Sequence, residues 1–178
     1  MRPPWDIWLF SYFANGINLR DIALLKNDYI QGDQIIFYRQ KSKKTASFAI
    51  HIYLNEHLLW IINKWGNNGK NKNSSEYIFG ILDAGLTPRE EKTKTLQARK
   101  QINKYLKRIA NKLELDHIPK IGNARHSFAT VLKRAGVSTE MISEQLGHSS
   151  VKTTEIYLNS FDKKQKEEVS RHLFSFIK

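Results

Sequence analysis

The chain has 178 residues, 40% apolar and 26% charged, which suits a single domain with a substantial core and not a disordered segment. Its 29 Lys and Arg outweigh 17 Asp and Glu, and the formal charge of +12 favours a polyanionic partner, most simply nucleic acid. With no cysteine, disulfides, thiolate catalysis and Cys-ligated zinc are excluded, and a reducing compartment is suited.

The opening Met1–Trp5 leads into a short apolar stretch broken by Asp6 and Asn15. It lacks a signal-peptide cleavage pattern and is too short to span a bilayer, so a soluble cytoplasmic protein without a membrane partner is expected. The abrupt start reads as that of a fragment cut from a longer chain, and equally as a start codon at Met1. Pro4 suits a first helical turn, and Trp5, Trp8, Leu9 and Tyr12 recur at helical spacing until Gly16 interrupts them. Asn18 to Leu25 reads as a second, short helix. Ile35–Tyr38 and Ala46–Tyr53 are rich in β-branched and aromatic residues and form an expected hairpin around a basic polar turn. Leu54 to Trp65 is helical by period, with Leu58, Ile61, Ile62 and Trp65 on one side. Residues 66–75 read as a solvated loop, and Tyr77–Phe79 as a short buried piece.

A long basic helix is expected from Thr93 to Leu113, with Leu96, Ile102, Leu106, Ile109 and Leu113 as its apolar positions. After a turn at Pro119 and Gly122, three helices follow, at Ala124–Arg134, Thr139–Leu146 and Val151–Leu158. Gly136 and Gly147 end the first two, and Ser138 and Ser150 suit the N-caps of the second and third. A final helix starts near Asp162, with Val169, Leu173 and Phe176 as its apolar stripe.

The chemistry concentrates in three places. Arg125 opens a helix inside a mostly apolar run, where an unpaired charge is expensive and an anionic partner is required. Its guanidinium suits two phosphate oxygens, although an internal carboxylate would also serve. His148 follows a helix-ending glycine and can project from the turn. Nine residues later Tyr157 sits on the next helix, a position at which a tyrosine alone is most often a packing residue.

Together the segments Ala124–Thr130, Leu146–Ser150 and Thr153–Tyr157 resemble the catalytic core of the tyrosine recombinases, also called phage integrases, in order and spacing. The resemblance runs from about Trp5 to the last helix. Ala124 before the arginine and the Thr-Thr-Glu-Ile-Tyr ending are most similar to integrases of Bacteroides-type mobile elements. It implies a mainly α domain with a small antiparallel hairpin or sheet (α+β) over residues 1–178, without the N-terminal core-binding or arm domain. It also implies that Tyr157 attacks a DNA phosphate to give a 3′-phosphotyrosine, that Arg125 and His148 stabilise the phosphate, and that no cofactor is needed. A lysine in the hairpin turn would protonate the leaving 5′-oxygen, and Lys41 best matches the family pattern.

Two residues depart from that pattern. Asn18 stands where the first arginine is expected; Arg20 points elsewhere on a regular helix, and Arg39 on the hairpin is another possible stand-in. Gly122 stands three residues before Arg125, where His or Lys is usual, leaving Lys120 or Asn123 to supply a donor. Asp21 matches an acidic residue that props basic groups, and reads equally as a surface carboxylate. His126 is expected to be structural or supporting. His117, His126 and His148 have no ligand spacing for a metal.

Double-stranded DNA is the expected partner. Arg99, Lys100, Lys104, Lys107 and Arg108 could follow its phosphates, or form a solvated face. Weak, poorly specific binding is expected of this chain by itself. The resemblance implies a tetrameric synapse of the full-length protein, with residues 162–178 docking on a neighbouring protomer or packing at home. The alternative is a catalytically impaired DNA-binding module, since Thr139–Leu158 also resembles a helix-turn-helix.

Overall fold

A computed structural model describes residues 4–38, 49–67 and 77–158, giving Pro4, Ile156 and Tyr157 as backbone. The expectations for Arg39, Lys41, most of the 66–75 loop and the final helix fall outside the described residues. Seven helices are described: α1 (Pro4–Phe13), α2 (Leu19–Leu24), α3 (Glu56–Trp65), α4 (Pro88–Lys112), α5 (Asn123–Arg134), α6 (Thr139–Gln145) and α7 (Val151–Tyr157). A small antiparallel sheet, β1 (Ile30–Gln31), β2 (Gln34–Tyr38) and β3 (Ala49–Tyr53), lies in the order β1-β2-β3. Ile35 of β2 faces Ile30 on one side and Ile52 on the other, so the buried residues of the two longer strands share one face.

The mainly helical fold with its small sheet matches the expectation, with corrections at the edges. The sheet gains a third strand, joined to β2 by a two-residue turn at Gly32 and Asp33, where Gly32 has a φ of +61°. α4 begins at Pro88 instead of Thr93. Thr87 caps it, accepting from the Glu90 N–H, while the Glu90 side chain accepts from the Thr87 N–H. The Thr87 hydroxyl, which donates to Glu90 Oε2 at 2.7 Å, and then the Thr87 N–H hold the Glu90 carboxyl below its ordinary range. Three of the apolar positions expected to face inward on α4 are exposed, namely Leu96, Ile109 and Leu113. The buried stripe is Thr95, Ile102, Leu106 and Ala110. Ser138 caps α6 as expected, whereas Ser150 stands at the N-cap of α7 without a capping bond from its side chain.

α1 is the hub, packed against α3, α4 and α5. Its buried Asp6 accepts a hydrogen bond from Trp65 Nε1 and lies 3.7 Å from Lys64. Two apolar clusters set up the site. The larger joins α1 and α2 to the sheet, α3, Ile78, Phe79 and α4. A smaller one, around Ala129, Ile142 and Leu146, holds α5 and α6 together and takes in Leu158 just past α7. Among the described residues no helix is long and apolar enough to cross a membrane.

Candidate active site

Arg125 sits at the seam between the two clusters, buried to 9% exposure. Its Nη1 donates to the carbonyl of Gly16 at 2.8 Å, from the turn after α1. Its Nη2 donates to the carbonyl of Leu146 at 2.6 Å, at the end of α6. Each of these carbonyls offers a dipole that orients the guanidinium.

Nη2 also meets His148 Nε2 at 2.6 Å. A guanidinium only donates, so Nε2 is the acceptor and the ring proton lies on Nδ1, which donates to Thr154 Oγ1 at 2.8 Å. Thr154 is fully buried on α7, and Tyr157 follows three residues later as the last residue of that helix. The ring reaches Arg125 because α6 stops sharply. Gly147, at a φ of +63°, donates from its N–H to the Glu144 carbonyl, and the His148 N–H donates to Ser143.

The turn after α1 is built as tightly. Asn15 and Gly16 both have positive φ, and the Ser11 hydroxyl closes the turn on the Ile17 carbonyl. Asn15 Nδ2 donates to the His51 carbonyl and to Gln145 Oε1, so one side chain ties the turn to β3 and α6. A Cβ at Gly16 would lie 3.0 Å from Arg125 Cα and 3.1 Å from its Cγ. Gly16→Ala therefore combines left-handed backbone strain with a push on Arg125. It should cost about 1–3 kcal/mol, a fall in melting temperature of roughly 3–10 °C for a chain of this size. Thermal unfolding measures it, and an unchanged melting temperature would show that the turn relaxes freely.

Asn18 is the N-cap of α2, so that helix begins one residue later than expected. Its Oδ1 accepts from the Asp21 N–H at 3.0 Å, and its Nδ2 donates to Asp21 Oδ2 at 2.6 Å. Asp21 is buried at 5% exposure, which removes the reading of a surface carboxylate. Arg20 is exposed and does not line the cavity beside Arg125. That cavity, about 390 Å³, is lined by Arg125 with Asn18, Arg99, Lys120, Gly122 and His126 among others. His126, expected to be structural or supporting, is an exposed part of this wall. Of the two possible donors near Gly122, Lys120 lines the cavity, whereas Asn123 turns its Oδ1 back onto the Lys120 N–H at 2.7 Å.

His148 opens onto a second cavity of about 590 Å³, between β3 and α6, shared with His51, Glu140, Ser143 and Ser149. Arg125 and His148 thus bridge two openings. Lys100, Lys104, Lys107 and Arg108 are exposed on α4, away from the first cavity, and Lys94 is taken by an ion pair with Asp83. Among the described residues no group of three or more His, Asp or Glu is close enough to hold a metal. Burial, reinforced by Glu91, pushes the Tyr77 phenol above its ordinary range, which makes it a poorer nucleophile. Gly16, Leu146 and Thr154 are the site residues that sequence reasoning missed. Only the Asn15-Gly16 pair carries a signal, that of a left-handed turn.

The phage integrase family model matches residues 13–164. A tyrosine recombinase XerD of Chlamydia trachomatis is 29% identical over 150 residues, 84% of this chain and 46% of its own length. A tyrosine recombinase of Agathobacter rectalis is 30% identical over 156 residues, 87% of this chain and 47% of its own. The chain spans about half the length of these curated relatives. Among solved structures, XerA recombinase superposes with a TM-score of 0.66 at 19% identity, covering 96% of this chain and 56% of the other. The Tn1549 transposon integrase in complex with transposon right end DNA gives 0.64 at 14%, covering 96% and 58%. The fold is the one these two proteins share, and with the family model aligned along most of its length the chain belongs to the phage integrase family.

Proposed function

We propose that the chain is the catalytic domain of a site-specific recombinase that breaks and rejoins double-stranded DNA through Tyr157. The observation that carries this reading is the pairing of buried Arg125 with half-buried His148. It is aimed by two carbonyls and steadied by Thr154, from the helix that ends in Tyr157.

A phosphate oxygen can replace His148 Nε2 as the acceptor of Arg125 Nη2 while both carbonyl anchors stay in place. The imidazole, with its proton moved to Nε2, then donates to the same phosphate. The Tyr157 oxygen attacks phosphorus and gives up its proton to water; the bond from phosphorus to the 5′-oxygen breaks, and that oxygen takes up a proton from Lys41, to which we assign this role. The product is a 3′-phosphotyrosine and a free 5′-hydroxyl. In the second step another strand's 5′-hydroxyl attacks the phosphotyrosine, and the phenol leaves and regains its proton. Bond energy is kept in the ester throughout, so neither nucleotide hydrolysis nor a cofactor is needed. Negative charge on the phosphate oxygens peaks in each transition state, where prepositioned cations are most effective.

The partner is double-stranded DNA, as for the DNA-bound Tn1549 integrase and the XerH recombinase crystallised on its difH substrate. The net charge of +12 supports this. We read residues 1–178 as one catalytic unit that completes a DNA clamp with the rest of a longer protein in a tetrameric synapse, where residues 162–178 dock on a neighbour. Kinship with integrases of Bacteroides-type mobile elements is supported by Ala124 and the ending at Tyr157.

The test is to trap the intact protein on a nicked duplex of its own recombination site, with a bridging phosphorothiolate at the cleaved position, and to map the modified peptide by mass spectrometry. A nucleotide on Tyr157 is expected. A nucleotide on any other residue overturns the reading.

A further inference from the structure

The cavity beside Arg125 contains more positive charge than one arginine. Arg99 from α4 and Lys120 from the loop before α5 line it together with Arg125, and no carboxylate is among its lining residues. Neither Arg99 nor Lys120 makes a side-chain hydrogen bond or ion pair among the described residues. Three cationic side chains around about 390 Å³, in a lining with no carboxylate, favour an anion in that space.

Helix geometry separates Arg99 from the other basic residues of α4. At 100° per residue, Thr95, Ile102, Asn103, Leu106 and Ala110 all fall within roughly 60° of Arg99 around the helix. All of them are buried or half-buried. Lys100, Lys104, Lys107 and Arg108 lie roughly 80–180° away, and all are exposed. Arg99 thus rises from the inward stripe to the cavity rim, while the others face outward.

The Lys120 loop is fixed before any ligand arrives. Trp8 Nε1 donates to the Lys120 carbonyl at 3.2 Å, and Asn103 Oδ1 accepts from the Ile121 N–H at 2.9 Å. Asn123 Oδ1 accepts from the Lys120 N–H. Asn103 stands one turn beyond Arg99 on α4, so the same stretch of helix carries Arg99 and anchors the loop that carries Lys120.

We infer that Arg99 and Lys120 complete, with Arg125, a three-cation pocket for one phosphodiester, and supply the charge that Asn18 and Gly122 do not bring. This rests on the recombinase reading for the identity of the anion, but not for the pocket itself. Arg99 is a catalytic residue on this account, and the outward-facing lysines of α4 are not.

Two measurements on the intact protein test it. In the first, inorganic phosphate is titrated at fixed ionic strength by calorimetry, and arginine Nε–Hε resonances report which guanidinium it reaches. Arg99→Ala is expected to weaken phosphate binding at least about tenfold, Arg99→Lys to restore part of it, and Lys104→Ala to change it less than about twofold. Because Arg99 is exposed, its replacement should leave the thermal melt unchanged. Equal losses for Arg99→Ala and Lys104→Ala, or phosphate binding that leaves the Arg99 and Arg125 resonances unmoved, overturn the pocket. The second is the rate of covalent adduct formation, which Arg99→Ala should slow about 100-fold. A normal adduct rate in Arg99→Ala also overturns its catalytic role. If phosphate binds through Arg99 but the unaltered protein forms no adduct with its own site, the pocket stands and the recombinase reading falls.

Discussion

Tyr157→Phe is expected to abolish the covalent protein–DNA adduct, a loss of more than about 10⁴-fold, while noncovalent binding of the same duplex stays within about twofold. The substitution removes one oxygen, the atom that would bond to phosphorus, and leaves the cationic surface that would hold the DNA backbone unaltered. A phenol with an ordinary pKa of about 10 is a weak nucleophile at neutral pH, so it needs a positive field and a positioned phosphate to react. Denaturing gels measure the adduct and mobility shifts the binding. The competing nucleophiles are also identifiable. Ser143, Ser149 and Ser150 line the same cavity as His148. If the Phe variant still forms an adduct, its linkage chemistry identifies the residue, because a phosphoserine ester is lost by elimination in alkali and a phosphotyrosine ester is not. An alkali-labile adduct in the Phe variant would move the nucleophile to one of those serines.

The fold was readable where periodicity was strong and obscured where it was weak. α3 and α5 to α7 emerge from apolar spacing, helped by a glycine just after each of the first three, and their bounds agree with expectation to within about two residues. α4 was placed five residues late because residues 88–92, Pro-Arg-Glu-Glu-Lys, contain nothing apolar, although Thr87 and Glu90 spell a capping box. β1 spans two residues, too few to show alternation. On α4 a period-based stripe assigned Leu96, Ile109 and Leu113 to the core, but α1 covers only part of that side. The apolar groove around Trp5 and Trp8 takes Ile109 and Leu113 in its wall and leaves them partly exposed.

At the site, Arg125 and His148 were found from residue type and spacing, and the structure brings them within 2.6 Å of each other. What aims them was not legible. Two of the acceptors of the guanidinium are main-chain carbonyls, at Gly16 and Leu146, a group that every residue carries and that residue type therefore does not signal. Asn18 shows the same limit from the other side. Its residue type suggested a lost arginine, but its place in the structure is that of a cap bonded twice to Asp21. Arg99 was readable only as one of several lysines and arginines on a long helix, because the cavity that singles it out is formed with a loop more than twenty residues away in the chain.

Arg125→Ala should damage stability and chemistry together, and Arg125→Lys should separate the two. Alanine leaves the carbonyls of Gly16 and Leu146 and the Nε2 of His148 without their donor in a buried place. Unmade hydrogen bonds of that kind, with the space left behind, should cost about 2–4 kcal/mol, read as a lower melting temperature. The adduct rate should fall by at least about 10³-fold, since the group assigned to the phosphate oxygens is gone. Lysine keeps the charge, but a single ammonium cannot span carbonyls from the turn after α1 and the end of α6 while also serving a phosphate. It is expected to recover part of the melting temperature and less than about a tenth of the lost rate. The contrast rests on geometry: if positive charge alone mattered, Arg125→Lys would restore the adduct rate along with stability. Full recovery would mean that the two carbonyls merely fill the side chain's spare donors and do not aim it. A melting temperature unchanged in Arg125→Ala would mean that the seam between the two apolar clusters closes without its guanidinium.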